Sequence, residues 1–187
     1  RMTPELIDRE LEKYSCGDWL LIQNETNCLE YIMRAANKKG MKIAFNPSPM
    51  DGTVSTLPLE LVDLFLVNEI EGAAVTGKEI TEEITAEFEK LFPNAAVILT
   101  LGKKGSVFKS EKDMLFQPSY CGTVKDTTGA GDTYTGFFIA NYIKGVSLQE
   151  CMRIAAMAST VQISRDGAAI AIPTKQEVLD ALKNHCR

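Results

Sequence analysis

The chain has 187 residues, 45% of them hydrophobic and 24% charged, with a formal net charge of −5. This composition is typical of a globular protein with its own core, and the mild acidity argues against nucleic-acid binding, which usually needs a basic stripe. Five cysteines without a CxxC spacing indicate reduced thiols, and no apolar run approaches the ~20 residues that span a bilayer, so we expect a cytoplasmic protein outside the membrane.

Helical patterns alternate with short apolar runs along the chain. Thr3-Pro4-Glu5 predicts a helix N-terminus, and the helix is expected to end near Tyr14. A second helix is predicted over residues 29–39, ending at Gly40. Further helices are predicted at 82–91, 129–143 and 147–163 and from 174 onward, the last two opened by capping boxes at Ser147 with Glu150 and Thr174 with Glu177. The predicted strands are 19–22, 43–45, 64–67, 95–101, 107–109 and 114–116, the last two antiparallel around a turn at 110–113.

Strands that are almost continuously apolar, alternating with helices, predict an α/β fold. We expect a doubly wound, mostly parallel sheet with helices on both faces, in one domain over residues 1–187. Ligands bind such sheets outside the carboxyl ends of the strands. Polar residues follow the strands that end at Ile22, Phe45, Val67 and Leu101, so a site is predicted at that edge.

The segment DTTGAGD, residues 126–132, has the composition of an anion site. A glycine-rich turn that runs into a helix presents backbone N–H groups without intrahelical partners, and the helix dipole adds partial positive charge. Gly129, Ala130 and Gly131 leave room for an oxyanion to approach the backbone. Asp132, in the first helical turn, would then accept a proton from an attacking hydroxyl. The alternative is a tight turn followed by an acid that interacts only with the helix dipole.

The longer string DTTGAGDTYTGFF resembles the C-terminal signature of the ribokinase-like (PfkB) carbohydrate kinase family. Other segments resemble further motifs of that family in the same order: QNE at 23–25, NPSP at 46–49, NEIE at 68–71, TLGKKG at 100–105 and SRDGA at 164–168. The resemblance extends over nearly all of the chain. It implies the ATP-dependent phosphorylation of a sugar hydroxyl, ribose first, with ATP and a small sugar as binding partners.

The resemblance also implies roles for single residues. Asp132 would be the catalytic base, and Gly129, Ala130 and Gly131 the anion hole. Thr100, Gly102 and Gly105 would bind the nucleotide phosphates, and Asn68 and Glu71 would organise Mg²⁺, through water, together with the phosphates. Glu25 would bind a sugar hydroxyl, and residues 155–159 would form an adenine-binding wall. Taken alone, Asn68 and Glu71 would be a helix cap with a first-turn acid, 155–159 ordinary helix packing, and Glu25 a surface acid at a strand end.

A potassium-like ion is the second cofactor that the resemblance implies. Asp126 and Thr128 would bind it, together with carbonyl groups near Gln162, Arg165 and Gly167. The family often has Ser where this sequence has Ala171, so one side-chain oxygen is lost from that site.

The resemblance leaves the acceptor open, because fructokinases, nucleoside kinases and keto-deoxy-sugar acid kinases share the fold. A non-catalytic nucleotide-binding module is the non-enzymatic alternative. A P-loop kinase and a Rossmann dehydrogenase are disfavoured, since neither GxxxxGK[ST] nor GxGxxG occurs.

The family's N-terminal half, with a Gly-Gly substrate motif and a small β lid, has no counterpart in these residues. The sequence is therefore interpreted as a fragment of a longer polypeptide or a truncated homologue. Without the strands of that half, the sheet would have an exposed edge that favours association, such as a homodimer.

Overall fold

The computed structural model describes residues 1–185, which form seven α-helices and six β-strands. The helices are α1 (Pro4–Leu11), α2 (Leu29–Lys38), α3 (Glu69–Thr76), α4 (Thr81–Leu91), α5 (Ala130–Tyr142), α6 (Leu148–Ile163) and α7 (Lys175–His185). The strands are β1 (Trp19–Gln23), β2 (Lys42–Asn46), β3 (Leu64–Asn68), β4 (Ala96–Thr100), β5 (Gly105–Lys109) and β6 (Met114–Pro118).

The strands form one sheet whose order follows the sequence, from β1 to β6. β1 pairs with β2 and β2 with β3 in parallel, with Leu20 opposite Ile43 and Ala44 opposite Leu64. A turn closed by the hydrogen bond from Ser110 N to Asp113 O (2.9 Å) joins β5 to its neighbour β6. The predicted α/β class is therefore confirmed.

Local sequence explains where the first helices begin and end. The Thr3 side chain accepts a hydrogen bond from the backbone of Leu6, and Pro4 occupies the first turn of α1. α1 ends at Leu11, earlier than predicted. α2 is followed by Gly40 with φ 73°, the left-handed conformation in which glycine ends a helix without steric cost.

Two predicted caps have different outcomes. The box at Thr174 forms, since Thr174 N donates to Glu177 (2.7 Å) and Glu177 N donates to the Thr174 hydroxyl (3.3 Å). The prediction of a capping box at Ser147 was wrong, because Ser147 is the N-cap residue of α6 without forming the box. Its side chain makes no capping hydrogen bond, and Glu150 instead accepts two hydrogen bonds from the guanidinium of Arg153 at 2.7 and 2.8 Å.

The chain divides into two compact units. The first comprises Arg1–Leu99 with Phe108–Met114, and the second comprises Thr100–Val107 and the chain from Leu115 onward. The single domain over 1–187 stays a prediction. Within residues 1–185, no helix is both long and apolar enough to cross a membrane.

Each unit has its own buried apolar cluster. In the first, the ring of Phe65 lies 5.1 Å from that of Phe88 and 4.7 Å from that of Phe92, measured between centroids. In the second, α6 packs against α5 and α7, and its Ile154, Met157 and Ala158 join Val178 and Leu182. α6 therefore connects α5 to α7 through buried side chains.

Candidate active site

The N-terminus of α5 is a glycine turn with open space beside it. Gly129 precedes the helix with φ 79°, and Thr133 N donates to Gly129 O (2.9 Å) to close the first turn. A β-carbon added at Gly131 would have no heavy atom within 4 Å, so the backbone is accessible there. Asp132 is exposed in the same turn. The predicted anion hole and base therefore lie together on one solvent-accessible helix turn.

Two side chains of α6 hold the carbonyl groups of this turn. Ser159 Oγ donates to Ala130 O at 2.9 Å, and Gln162 Nε2 donates to Thr128 O at 2.6 Å. Gln162 is fully buried. Because these hydrogen bonds hold the carbonyl oxygens toward α6, they fix the orientation of the peptide groups that form the turn.

Asp126 ties the beginning of the DTTGAGD segment to the loop after α6. Its two carboxylate oxygens accept hydrogen bonds from Thr128 N (2.9 Å) and Gly167 N (3.2 Å). The backbone N–H of Thr128, its hydroxyl and the N–H of Gly167 hold the pKa of Asp126 below its usual value. These hydrogen bonds thus stabilise the ionised form of the carboxylate.

Residues predicted to bind a cation contact one another here, since Asp126 accepts from Thr128 and Gly167, and Gln162 donates to Thr128 O. The main-chain carbonyl of Gln162 accepts a hydrogen bond from Arg165 N (3.0 Å), within the turn that ends α6. Its side-chain Oε1 is buried and has no hydrogen-bond donor among residues 1–185. Ala171 is buried and offers only a methyl group. A monovalent cation near Oε1 would satisfy a buried oxygen that is otherwise costly.

The side chain of Arg165 points to α7. Its guanidinium donates to Glu177 at 2.6 Å, and Thr174 N also donates to that carboxylate. The backbone N–H of Thr174 first, then Arg165 and the Thr174 hydroxyl, lower the pKa of Glu177 from 4.5 to about 2. Arg165 thus anchors the loop that carries Gly167.

Glu177→Gln is expected to destabilise the protein at neutral pH and to lose that effect in acid. A depressed folded-state pKa contributes stability above pH 4.5, and the contribution disappears as the pH falls from there toward about 2. The measurement is the urea midpoint of both proteins across this range, with a variant of the exposed Glu111, Glu111→Gln, as the charge control. A difference between wild type and Glu177→Gln that stays constant with pH would contradict the assignment.

The predicted phosphate loop, residues 100–105, is a tight turn at the end of β4. Leu101 N donates to Gly105 O at 2.8 Å, and a short 3₁₀ helix spans Gly102–Lys104. Gly102 is exposed, with φ 54° and open space beside it. Thr100 is half-buried, and Gly105 is buried against the backbone of β6. Gly102 is therefore the more accessible glycine of this loop.

In the first unit, Asn68 and Glu71 form a complete capping box at α3. Glu71 N donates to the Asn68 side chain and Asn68 N to the Glu71 carboxylate, both at 2.9 Å. Asn68 is exposed and Glu71 buried. Asn68 and Glu71 therefore cap the helix, as expected for these residues taken alone. Their role in organising Mg²⁺ stays a prediction.

Glu25 is exposed after β1, beside a loop that the neighbouring Asn24 stabilises. Asn24 Nδ2 donates to Pro49 O (2.8 Å) and Asn24 N to Ser48 O (3.0 Å). The polar segments after β1 and β2 are therefore joined to each other by hydrogen bonds at the carboxyl ends of the two strands.

The predicted adenine wall at 155–159 is mostly interior. Ala155 and Ala158 have no exposed surface, so helix packing accounts for them. Ser159 is half-buried and donates to Ala130 O, and the adenine role stays a prediction. Two further residues near the turn were not predicted: Ser106 and Tyr134 share a buried hydrogen bond of 2.7 Å. Their hydroxyl groups were the only sequence indication, and nothing local in the sequence pairs them.

Comparison with solved structures identifies the class of protein to which this fold belongs. The structure of Arabidopsis thaliana ribokinase complexed with ribose and ATP superposes on this chain with a TM-score of 0.82 and 28% sequence identity. The superposition covers 96% of this chain and 58% of the Arabidopsis chain. A ribokinase crystal structure from Thermotoga maritima gives 0.83 at 28% identity, over 97% of this chain and 61% of its own. The chain is therefore an α/β protein of the ribokinase-like fold.

The chain belongs to the pfkB family of carbohydrate kinases, whose pattern its residues 14–175 match. A ribokinase of Haemophilus influenzae is 32% identical over 96% of this chain and 61% of its own length. An Arabidopsis thaliana ribokinase is 31% identical over 96% of this chain and 50% of its own. This chain thus spans about half to three fifths of the length of these relatives.

Proposed function

We propose that this chain carries the nucleotide-binding and phosphoryl-transfer portion of an ATP-dependent sugar kinase, with ribose as the first acceptor to test. The observation that carries the proposal is the first turn of α5, where Asp132 is exposed one residue after the accessible backbone of Gly131. Ribose is favoured because the Haemophilus influenzae and Arabidopsis thaliana relatives are ribokinases and the Arabidopsis structure contains ribose and ATP.

In the proposed reaction, Asp132 accepts the proton of a sugar hydroxyl. The hydroxyl oxygen then attacks the γ-phosphorus of ATP in line, and ADP leaves with the electrons of the broken P–O bond. The N–H groups of Ala130 and Gly131 lie in the first turn, where the helix itself supplies no acceptor. That of Ala130 donates to Thr127 O (3.2 Å), in the turn before the helix, and would exchange this acceptor for the phosphoryl oxygen. Both N–H groups stabilise the charge on the transferring phosphoryl group, in a site where water has to be excluded.

The nucleotide phosphates are assigned to the loop after β4, with Thr100, Gly102 and Gly105 around them. Mg²⁺ is assigned to Asn68 and Glu71 through water, because Mg²⁺ usually keeps several of its waters. The capping box supports this by holding the Glu71 carboxylate in one orientation.

A monovalent cation such as K⁺ is proposed beside Asp126 and Thr128, with the Oε1 atom of Gln162 as a further ligand. Arg165 and Gly167 would hold the loop that closes this site. When bound, the ion supplies positive charge behind the anion hole. Its support is the ionised carboxylate of Asp126 and the buried, unsatisfied oxygen of Gln162.

The test is sugar-dependent ADP release, together with calorimetric titration of ATP into the chain. We expect ATP to bind and ribose to stimulate ADP release above the ATP-only rate. A panel with fructose, a nucleoside and a keto-deoxy-sugar acid separates the acceptors that the fold allows. ATP binding without any stimulation would favour the non-catalytic module, and the absence of ATP binding would contradict both hypotheses.

Association of copies is a further part of the proposal. β1 is the terminal strand of the sheet, and Leu21 in it is 41% exposed. A strand edge of this kind can pair with another chain. A homodimer would cover it.

A further inference from the structure

A buried pair of hydroxyl groups joins β5 to α5. Ser106 Oγ and Tyr134 OH lie 2.7 Å apart, and the two residues are 1% and 6% exposed. They are 28 positions apart in the sequence, so the contact is a tertiary one. Hydroxyl groups are costly to bury without a partner, and here each supplies the partner of the other.

The position of the pair connects two segments of the proposed site. Ser106 directly follows Gly105, the last residue of the proposed phosphate loop. Tyr134 lies two residues after Asp132, still within the first two turns of α5. The hydrogen bond therefore links the loop assigned to the ATP phosphates with the helix turn assigned to phosphoryl transfer.

The chemistry of the pair favours a geometric role over a proton-transfer role. Burial raises the pKa of Tyr134 to about 12, so its hydroxyl stays neutral at any physiological pH. Neither residue is accessible to a substrate. The Tyr134 ring stacks on that of Phe138, at 6.4 Å between centroids and 9° between planes, and a Phe ring at 134 could make the same contact. What tyrosine adds is a directional hydrogen bond.

We propose that Ser106 and Tyr134 are positioning residues, whose hydrogen bond fixes the first turn of α5 relative to the loop that ends at Gly105. Together with the bonds that Ser159 and Gln162 donate to this turn, it holds the peptide groups of 129–131 and the Asp132 carboxylate in one arrangement. The expected effect of this hydrogen bond on catalysis rests on the proposed function. The positioning of the turn rests only on the contact between Ser106 and Tyr134.

The test uses Tyr134→Phe, Ser106→Ala and the double variant. Each single variant leaves one buried hydroxyl without its partner and should lower the melting temperature. In the double variant both polar groups are gone, an exchange that is nearly neutral for stability. We expect its melting temperature to return close to wild type. The N–H of Thr133, which closes the first turn, should nevertheless exchange with solvent about 3- to 10-fold faster, the factor that one net hydrogen bond represents.

Hydrogen exchange at Thr133 shows whether the Ser106–Tyr134 pair positions the first turn of α5 or only fills space in the core. If the pair only filled space, exchange at Thr133 would recover in the double variant along with the melting temperature, and the proposal would be overturned. Tyr31→Phe is the matched control, because it removes a hydroxyl bonded to Asp8 on the exposed side of α2 and should leave exchange at Thr133 unchanged.

Kinetics give a second, separate result. In the double variant we expect kcat for phosphoryl transfer to fall while the KM for ATP stays near wild type, because the hydrogen bond orients groups that act in the transition state. If the wild-type chain transfers no phosphoryl group, the proposed function fails, and the exchange measurement still decides whether the pair positions the turn.

Discussion

Asp132→Asn is expected to lower turnover about 10²- to 10⁴-fold while leaving the affinity for ATP nearly unchanged. The asparagine amide has almost the shape of the carboxylate but cannot accept a proton from the sugar hydroxyl. The backbone of the turn is unaltered, so the phosphates keep their proposed partners.

The measurement combines steady-state ADP release with calorimetric titration of ATP. Asp113→Asn, in the exposed turn between β5 and β6, is the matched control for the loss of one carboxylate and should retain full turnover. Wild-type turnover in Asp132→Asn would refute the assignment of the base. A joint loss of turnover and ATP binding would indicate instead that Asp132 organises the nucleotide site.

Much of the fold was predictable because its determinants are local. Thr3 with Pro4 starts α1, Gly40 ends α2, and the apolar runs become strands whose carboxyl ends carry polar residues. The helix start within DTTGAGD was predictable as well, since backbone geometry at a glycine-rich helix start depends on adjacent residues.

The wrong capping prediction at Ser147 reflects competition between two nearby hydrogen-bond partners for one carboxylate. The sequence around Ser147 has the pattern of a capping box, but Arg153 lies one turn after Glu150 and its guanidinium takes both carboxylate oxygens. The short helix α3 was not assigned a range, although its cap at Asn68 was considered. Pattern alone does not say which of two available partners an acid will choose.

Tertiary contacts explain the remaining differences. Carbonyl groups near Gln162 were expected to bind the cation, and that role stays a prediction, whereas the hydrogen bond from the buried Gln162 side chain to Thr128 O was not predicted. The adenine wall at 155–159 likewise stays a prediction, and the hydrogen bond from Ser159 to Ala130 O was not anticipated. Both contacts depend on how α5 and α6 pack, and helical periodicity reports only which side of α6 is apolar.

Gly105→Ala is expected to destabilise the protein by about 3 to 5 kcal/mol, a large part of the stability of an ordinary domain. Gly105 has φ 123° and ψ −138°, a conformation that residues with a β-carbon almost never adopt. An added β-carbon would also lie 2.1 Å from the carbonyl oxygen of Gln117 and 2.8 Å from Cα of Pro118. These are backbone atoms of β6, so no side-chain rotation relieves the clash.

The free energy of unfolding in urea measures this effect, and Gly136→Ala is its matched control. Gly136 lies inside α5 with no heavy atom within 4 Å of an added β-carbon, so alanine there should stabilise the protein by about 0.5 to 1 kcal/mol. A lower free energy of unfolding in Gly105→Ala and a higher one in Gly136→Ala would show that Gly105 is required for the approach of β5 to β6. An unchanged midpoint in Gly105→Ala would mean that the turn relaxes without cost, and Gly105 would then have no structural reason to be glycine. Because Ser106 follows directly, a displaced β5 should also speed hydrogen exchange at Thr133, which connects this prediction to the positioning of α5.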